Sequence, residues 1–249
     1  MRFQDSAIEN LQQSGVLAGI GWAWRSACRQ VLDDYTEESG YSTAALGTMR
    51  YSAFCDRSDR VFSCGKYEVV NPNAGIDVLH AGLLEEEILS MPIISPALIK
   101  RADLSGSPGW SCDNYRWLLQ SFPHGSVDDI HWAGLSQTKR RVAGQINPDY
   151  PTLFDEELPV PNGTDGIVLI VAHKLNYDTA AAELFIGLPQ TNNRDESAWY
   201  WRHPIRTEIF KGEDRKPNRV PVANPNDIGD APVRLRSSIH QASMQGEAL

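Results

Sequence analysis

The stretch at residues 166–189 constrains the fold of this chain more than any other part of the sequence. Two runs of β-branched and aliphatic residues, 167–172 and 184–188, flank polar residues at 176–179 that suit a turn. We therefore predict a β-hairpin. An unbroken apolar strand is typical of a sheet covered on both faces, whereas a half-covered strand alternates. The hairpin is therefore expected near the centre of a sheet, with helices packed against it.

The composition is typical of a globular protein. The chain has 249 residues, of which 41% are hydrophobic and 22% charged, so it can bury a core as one large domain or two small ones. The formal net charge of -9 argues against sequence-independent binding of nucleic acid over a broad face, because such binding needs many Lys and Arg contacts to phosphate. A local basic patch is still compatible with this charge.

The N-terminal sequence predicts a cytoplasmic protein. The apolar run at 15–24 is shorter than the about 20 residues that a membrane-spanning helix needs, and Arg2 is the only basic residue before it. We therefore expect neither a signal peptide nor a membrane anchor. The four cysteines form no CxxC pair, which favours buried free thiols in a reducing compartment. They are Cys28, Cys55, Cys64 and Cys112.

Apolar periodicity and turn residues predict mainly helices in the first half of the chain and strands in the second. A second hairpin is expected from residues 61–63 and 67–70, and a short aromatic strand from 198–202 at the edge of the sheet. The predicted helices span residues 6–14, 16–38, 43–56, 78–91, 96–101 and 113–122.

The sequence therefore predicts an α+β fold in one domain, residues 1–210, with N-terminal helices packed on a mainly antiparallel sheet. Four prolines within residues 146–163 preclude regular structure, so this segment is expected to be an exposed, proline-rich excursion. Residues 211–249 are rich in Pro, Asn, Asp and Arg and have neither helical nor strand period. We expect them to form a flexible tail.

A candidate partner-binding peptide lies inside the excursion, where residues 150–154 read YPTLF. It resembles the short linear peptide by which bacterial DNA polymerases and repair proteins dock on the sliding clamp. Thr152, Leu153 and Phe154 match that pattern, while Tyr150 stands where the pattern has Gln. Leu and Phe on an extended segment are apolar anchors for a pocket. The alternative is that Leu153 and Phe154 fold back onto their own domain.

Two groups of acidic residues are candidate ligands for a divalent metal. Asp56 and Asp59 alternate with arginines, and Asp128, Asp129 and His131 lie within four residues. The alternative for the first group is a mutually paired, solvated surface. For the second group, turn and N-cap roles explain the residues as well.

Two basic segments are candidate contacts for nucleic acid. Lys139, Arg140 and Arg141 follow one another without an intervening acid, and Trp201 and Arg202 belong to an aromatic and basic cluster that could stack on a base. The alternatives are a solvated helix face for the first segment and an edge strand, half of it core, for the second.

Three segments resemble proteins of similar length from actinomycete bacteria and their mobile elements, a group for which no activity is known. They are residues 56–65, 101–110 and 198–204, which read DRSDRVFSCG, RADLSGSPGW and AWYWRHP. The resemblance implies a bacterial protein.

We expect a non-enzymatic accessory or adaptor protein of DNA replication, repair or a mobile element, with a sliding clamp or another protein as partner. One alternative is a metal-dependent enzyme acting on nucleic acid or nucleotides, and another is a structural subunit of a larger assembly. The sequence contains no phosphate loop, GxGxxG, HExxH or GxSxG motif. A divalent metal is therefore expected only under the enzyme alternative.

Overall fold

The protein has an α+β fold in which helices cover a six-stranded, mostly antiparallel sheet. The computed structural model describes residues 2–34, 40–68, 76–149, 166–192 and 196–206. All of these residues belong to one compact unit that spans residues 1–217. The sequence-predicted tail and most of the proline-rich excursion lie outside the described residues.

Three long helices form the N-terminal part of the unit. The predictions of helices from 6, 16 and 43 are confirmed: the second is described as far as Asp34, and the third runs five residues further than predicted. Ser42 begins α3 as its N-cap, with its Oγ accepting a hydrogen bond from the Ala45 N–H at 3.2 Å. The helices are α1 (Phe3–Gln13), α2 (Val16–Asp34), α3 (Thr43–Val61), α4 (Ile76–His80), α5 (Glu85–Ser90) and α6 (Gln137–Ala143). None of the helices in the described ranges is both long enough and apolar enough to cross a membrane.

The six strands follow one another across the sheet in chain order. All neighbours are antiparallel except β3 and β4, which run parallel over seven residue pairs from Tyr115↔Ile167 to Ser121↔His173. A parallel pair requires the chain to cross from one end of the sheet to the other between the two strands. The strands are β1 (Lys100–Arg101), β2 (Gly109–Cys112), β3 (Tyr115–Ser121), β4 (Ile167–Leu175), β5 (Ala182–Pro189) and β6 (Trp199–Pro204).

The predicted hairpin at 166–189 is confirmed as β4 and β5, and both of its faces are covered. Leu169 and Val171 point into a core cluster that includes buried residues of α1, α2 and α3. Val168 and Ile170 point into a second cluster, built with residues of the β3–β4 crossover. Continuous burial on two faces is the physical reason for the unbroken apolar run. The predicted edge strand at 198–202 is also confirmed, as β6.

Helix α2 is the inner helix of the unit. Its buried residues occupy most of its circumference, from Val16 to Val31. Gly19 allows this close packing, because a Cβ built there would lie 2.4 Å from the ring of Phe62 and 3.0 Å from Ile94. All seven tryptophans of the chain are buried, with Trp24 and Trp117 wholly inside.

Two predicted elements are wrong in type. Residues 113–122 form strand β3 rather than a helix, because Trp117, Leu118 and Leu119 are buried on both faces of the sheet and so mimic a helical pattern. Asp113 has a φ of 49° in the two-residue turn before β3, which is the conformation that tight hairpins require. The hairpin predicted at 61–70 is also wrong: α3 continues to Val61, and a 3-10 turn follows at Gly65–Tyr67.

Two further predictions are wrong in extent. The helix predicted over 78–91 is divided into α4 and α5 by a turn at Gly82, whose φ of 73° favours glycine. The short helix predicted at 96–101 is a turn that leads into β1, and Ala97 in it has a φ of 66°. A residue in this left-handed region cannot continue a right-handed helix.

We expect Gly187→Ala to lower the free energy of unfolding by about 2–3 kcal/mol, because overpacking against fixed backbone is costly. A Cβ at this position in β5 would lie 2.5 Å from the carbonyl oxygen of Trp201 and 2.8 Å from the Trp199 ring. The matched control is Gly47→Ala in α3, where nothing lies within 4 Å and a gain of about 0.5–1 kcal/mol is expected. Urea unfolding followed by tryptophan fluorescence measures both. Equal stabilities of the two variants would contradict the packing of β6 on β5.

Candidate functional site

Asp56 is the centre of a partly buried ion-pair network on α3. Its Oδ2 accepts hydrogen bonds from Arg57 at 2.6 Å and Arg60 at 2.8 Å, and its Oδ1 accepts from the Tyr67 hydroxyl at 2.7 Å. The Lys66 ammonium lies 2.7 Å from the same Oδ1. Burial acts to raise the pKa of Asp56, but the hydrogen bonds from Lys66, Tyr67 and Arg60 outweigh it and hold the pKa well below its usual range.

Asp59, one turn further along α3, joins this helix to the β1–β2 region. Its Oδ1 accepts hydrogen bonds from the Trp110 indole N–H at 2.8 Å and from Arg101 at 2.6 Å. Arg101 also donates from Nε to Asp103 at 2.5 Å and lies over the Trp110 ring at 4.7 Å. The structure therefore brings together residues of two of the three segments that carry the sequence resemblance, 56–65 and 101–110.

Their contacts give Asp56 and Asp59 a structural role in joining elements. The mutual pairing that the sequence offered as the alternative is observed, although the pairs are largely buried rather than solvated. In the ranges that the structure describes, no three His, Cys, Asp or Glu residues form a group that could hold a metal ion.

Asp128, a candidate metal ligand, pairs with Arg202, which is one of the candidate contacts for nucleic acid. Both of its oxygens accept hydrogen bonds from Arg202, at 2.7 Å from Nε and 2.7 Å from Nη2. This hydrogen bonding from Arg202 lowers the pKa of Asp128. Asp129 and His131 are exposed on the crossover beside it. The metal hypothesis for Asp128, Asp129 and His131 stays a prediction.

The aromatic and basic cluster on β6 is divided between the core and the surface. Trp201 is only 7% exposed and packs in the core beneath the sheet, so its ring is not positioned to stack on an external base. The Arg202 guanidinium lies over the Phe185 ring at 4.9 Å while it pairs with Asp128. The placement of Trp201 on a binding surface is therefore corrected, because β6 turns that side chain inward.

Lys139 is separated from its basic neighbours by the turn of α6. It is buried, and its Nζ donates to the Leu119 carbonyl oxygen of β3 at 2.5 Å. Burial lowers the pKa of Lys139 to about 7. Arg140 and Arg141 are exposed. The placement of Lys139 on a phosphate-binding surface is corrected, while the hypothesis for Arg140 and Arg141 stays a prediction.

The candidate partner-binding residues Tyr150, Thr152, Leu153 and Phe154 lie outside the described residues. Their docking role stays a prediction.

An exposed apolar surface that the sequence did not indicate lies around α5. We call Leu84, Leu89 and Ile93 the α5 surface; they are 54%, 80% and 103% exposed. Leu89 lies on the exposed side of α5, which begins after the break at Gly82. Among the described residues, eight large hydrophobic side chains are exposed and five of these fall within 78–98, the other two being Val78 and Leu98.

An ion pair between Arg29 and Glu87 fixes α5 on α2. The Arg29 guanidinium contacts Glu87 Oε2, which also accepts the Leu84 N–H at 2.9 Å. The Trp22 indole N–H donates to the Glu87 carbonyl oxygen at 2.9 Å, and the Ser90 hydroxyl donates to the same oxygen at 3.3 Å. The α5 surface therefore stands on a rigid support.

Another buried cation lies on α3. Arg50 is 2% exposed, and it donates to the Tyr177 hydroxyl and to Ser121 Oγ, both at 3.2 Å. Its guanidinium lies 5.6 Å from the Trp24 ring centroid, and Trp24 packs on His173 at 4.8 Å. Burial, then the charges of Arg50 and two lysines, lowers the pKa of His173 well below its usual value. His173 is therefore a neutral core aromatic.

No protein-family model, curated protein or solved structure matches the chain.

We expect Asp59→Asn to lower the free energy of unfolding by about 1–3 kcal/mol, because it removes the charge that accepts hydrogen bonds from Arg101 and Trp110, while Arg101 keeps its pairing with Asp103. The control is Asp128→Asn, whose carboxylate is 60% exposed and whose loss is expected to cost less than about 1 kcal/mol. Thermal unfolding with and without Mg²⁺ measures both effects. A stable Asp59→Asn variant, or Mg²⁺ stabilisation that disappears in this variant, would instead favour the metal role.

We expect Lys139 to make stability depend on pH just above neutrality. Its folded-state pKa is about 7 against an ordinary 10.5, so the unfolded chain binds one more proton between these values and stability rises with pH by up to about 1.4 kcal/mol per unit. Below pH 7 both states are protonated and the contribution is constant. Urea unfolding at pH 7.0 and 8.5 should show this rise in the wild type and a smaller one in Lys139→Met. Parallel profiles would contradict a depressed pKa.

Proposed function

We propose that the protein is a non-enzymatic accessory or adaptor protein that docks on a protein partner through exposed apolar side chains. The α5 surface carries the proposal. Leu89 and Ile93 point outward, while Met91 and Ile94 of the same segment pack against the core. Apolar side chains held outward by a buried anchor are typical of a docking surface.

The support beneath the α5 surface favours tight docking. Glu87 is tied to α2 by Arg29 and Trp22, so the segment does not have to be ordered when a partner binds. Preorganised apolar groups lose less conformational entropy on association than flexible ones.

Charge indicates the chemistry of the partner. Glu85 and Glu86 are exposed in the first turn of α5, next to Leu84, and the whole chain has a net charge of -9. Complementary charge suppresses wrong partners and speeds encounter. The partner surface is therefore an apolar pocket with basic residues at its rim.

The resemblance of Thr152, Leu153 and Phe154 to the clamp-binding peptide supports a bacterial sliding clamp as the partner. That partner would place the protein in DNA replication, repair or the life of a mobile element. A cytoplasmic location belongs to the same proposal. It is supported by Cys28, Cys55, Cys64 and Cys112, which are free thiols, as is usual in a reducing compartment.

The other two functions suggested by the sequence stay predictions. Asp129 and His131 are the exposed candidates for a metal-dependent enzyme acting on nucleic acid or nucleotides. A structural subunit would form stable oligomers whose assembly is unchanged when Leu153 and Phe154 are replaced.

The test is a calorimetric titration of the protein with a purified bacterial sliding clamp. We expect micromolar binding that falls about thirtyfold or more in Leu153→Ala/Phe154→Ala, because apolar anchors dominate such interfaces. Leu89→Ser/Ile93→Ser is expected to weaken binding about tenfold. Tyr41→Ser, which alters an exposed aromatic residue 47% accessible outside the α5 surface, is the control and should bind like the wild type.

Circular dichroism confirms that each variant is folded. Heats of dilution alone with the wild type would show that the clamp is not the partner. Unchanged binding by Leu153→Ala/Phe154→Ala would exclude the peptide as the docking element. Unchanged binding by Leu89→Ser/Ile93→Ser would exclude the α5 surface.

A further inference from the structure

The chain that follows α5 is held on α2 by two apolar side chains. Met91 and Ile94 both pack against the core cluster that includes residues of α2. Ile94 lies close to Gly19 of α2, where an added Cβ would be 3.0 Å from the Ile94 Cδ1. Glu87, one turn before Met91, adds the ion pair with Arg29. These three side chains form the inner side of the segment that carries the α5 surface.

Met91 lies where the helix ends. It is the C-cap of α5, its N–H donates to the Ile88 carbonyl oxygen at 3.2 Å, and its own backbone is extended, with a φ of -66° and a ψ of 124°. Leu89 and Ile93, two positions before and after it, are exposed members of the α5 surface. The direction in which these two side chains point therefore depends on Met91 staying in the core cluster.

The chemistry of its side chain distinguishes Met91 from the other two anchors. Met91 is partly exposed although it packs on the core cluster. Hydrogen peroxide transfers one oxygen atom to an accessible thioether, so that the sulfur is oxidised to a sulfoxide and the peroxide is reduced to water. The sulfoxide is polar and does not suit an apolar contact. Burial of its oxygen without a hydrogen-bond donor is unfavourable.

We propose that Met91 is an oxidation site that controls the α5 surface. Oxidation by a peroxide makes the Met91 side chain leave the core cluster, which releases the segment at the end of α5 and changes the direction of Leu89 and Ile93. Reduction by methionine sulfoxide reductases restores the anchor. The release follows from the contacts of Met91 itself, whereas its effect on docking rests on the proposed function.

The first measurement is peptide mass mapping of the full chain after treatment with millimolar hydrogen peroxide. We expect the gain of one oxygen at Met91 in the folded protein. Met49 of α3, the other methionine among the described residues, is also partly exposed and serves as the internal comparison. Oxidation of Met91 only after unfolding in urea would show that its sulfur is out of reach in the folded protein, which would overturn the proposal.

The second measurement follows the release by heteronuclear NMR of the ¹⁵N-labelled protein. The Trp22 indole N–H is the reporter, because it donates to the Glu87 carbonyl oxygen at 2.9 Å. Peroxide should shift this resonance in the wild type and in Met49→Leu, but not in Met91→Leu, whose side chain has a similar volume. Methionine sulfoxide reductases should return the wild-type resonance to its starting position. An equal shift in Met91→Leu, or no shift in wild-type protein oxidised at Met91, would overturn the proposal.

The third measurement repeats the clamp titration before and after oxidation. We expect oxidation to weaken binding about tenfold in the wild type, because the released segment must be ordered again when the partner binds, and to leave the affinity of Met91→Leu unchanged. Undiminished binding by the oxidised wild type, or an equal loss in both proteins, would overturn control by Met91. No binding by the reduced wild type would instead contradict the proposed function, and the first two measurements still decide whether oxidation releases the segment.

Discussion

Burial of both faces of β4 is the constraint on which the rest of this fold depends. Leu169 and Val171 need a cover on one side of the sheet, and Val168 and Ile170 need one on the other. The N-terminal helices supply the first cover. The second must come from the chain between β3 and β4, and the parallel pairing of these strands requires a crossover there. The same crossover brings Lys139 of α6 onto the Leu119 carbonyl oxygen of β3.

The elements that the sequence predicted well are those whose apolar pattern has one interpretation. The unbroken runs of β4 and β5 indicated a central hairpin, and the long helical repeats of α2 and α3 indicated helices. Strand β3 was missed because Trp117, Leu118 and Leu119 are buried on alternating faces, so that their pattern suits a helix equally well. The last turns of α3 were missed because their stabilising partner, Trp110, lies 51 residues from Asp59 and no local pattern shows this contact.

The candidate site was predictable only in part, for a related reason. Local spacing correctly grouped Asp56 with its neighbouring arginines, which are its partners in the folded chain. Local spacing could not show that Arg29 and Glu87 form an ion pair, because they lie on two helices that are far apart in the sequence. The exposure of Leu89 could not be predicted from the sequence either, since it depends on the break at Gly82 and on which residues of α5 pack against α2.

Buried carboxylates in this protein are used in two different ways. Asp59 accepts hydrogen bonds from Trp110 and Arg101 and holds α3 to the sheet, so its charge has a structural role. Glu87 engages Arg29 through one oxygen while Trp22 and Ser90 hold its backbone, so the carboxylate cannot move outward to hydrate its second oxygen without losing the ion pair. Such a group stays in place beneath α5 at a cost in stability. The Glu87 carboxylate therefore fixes the position of α5 on α2 even though its own hydrogen bonding is incomplete.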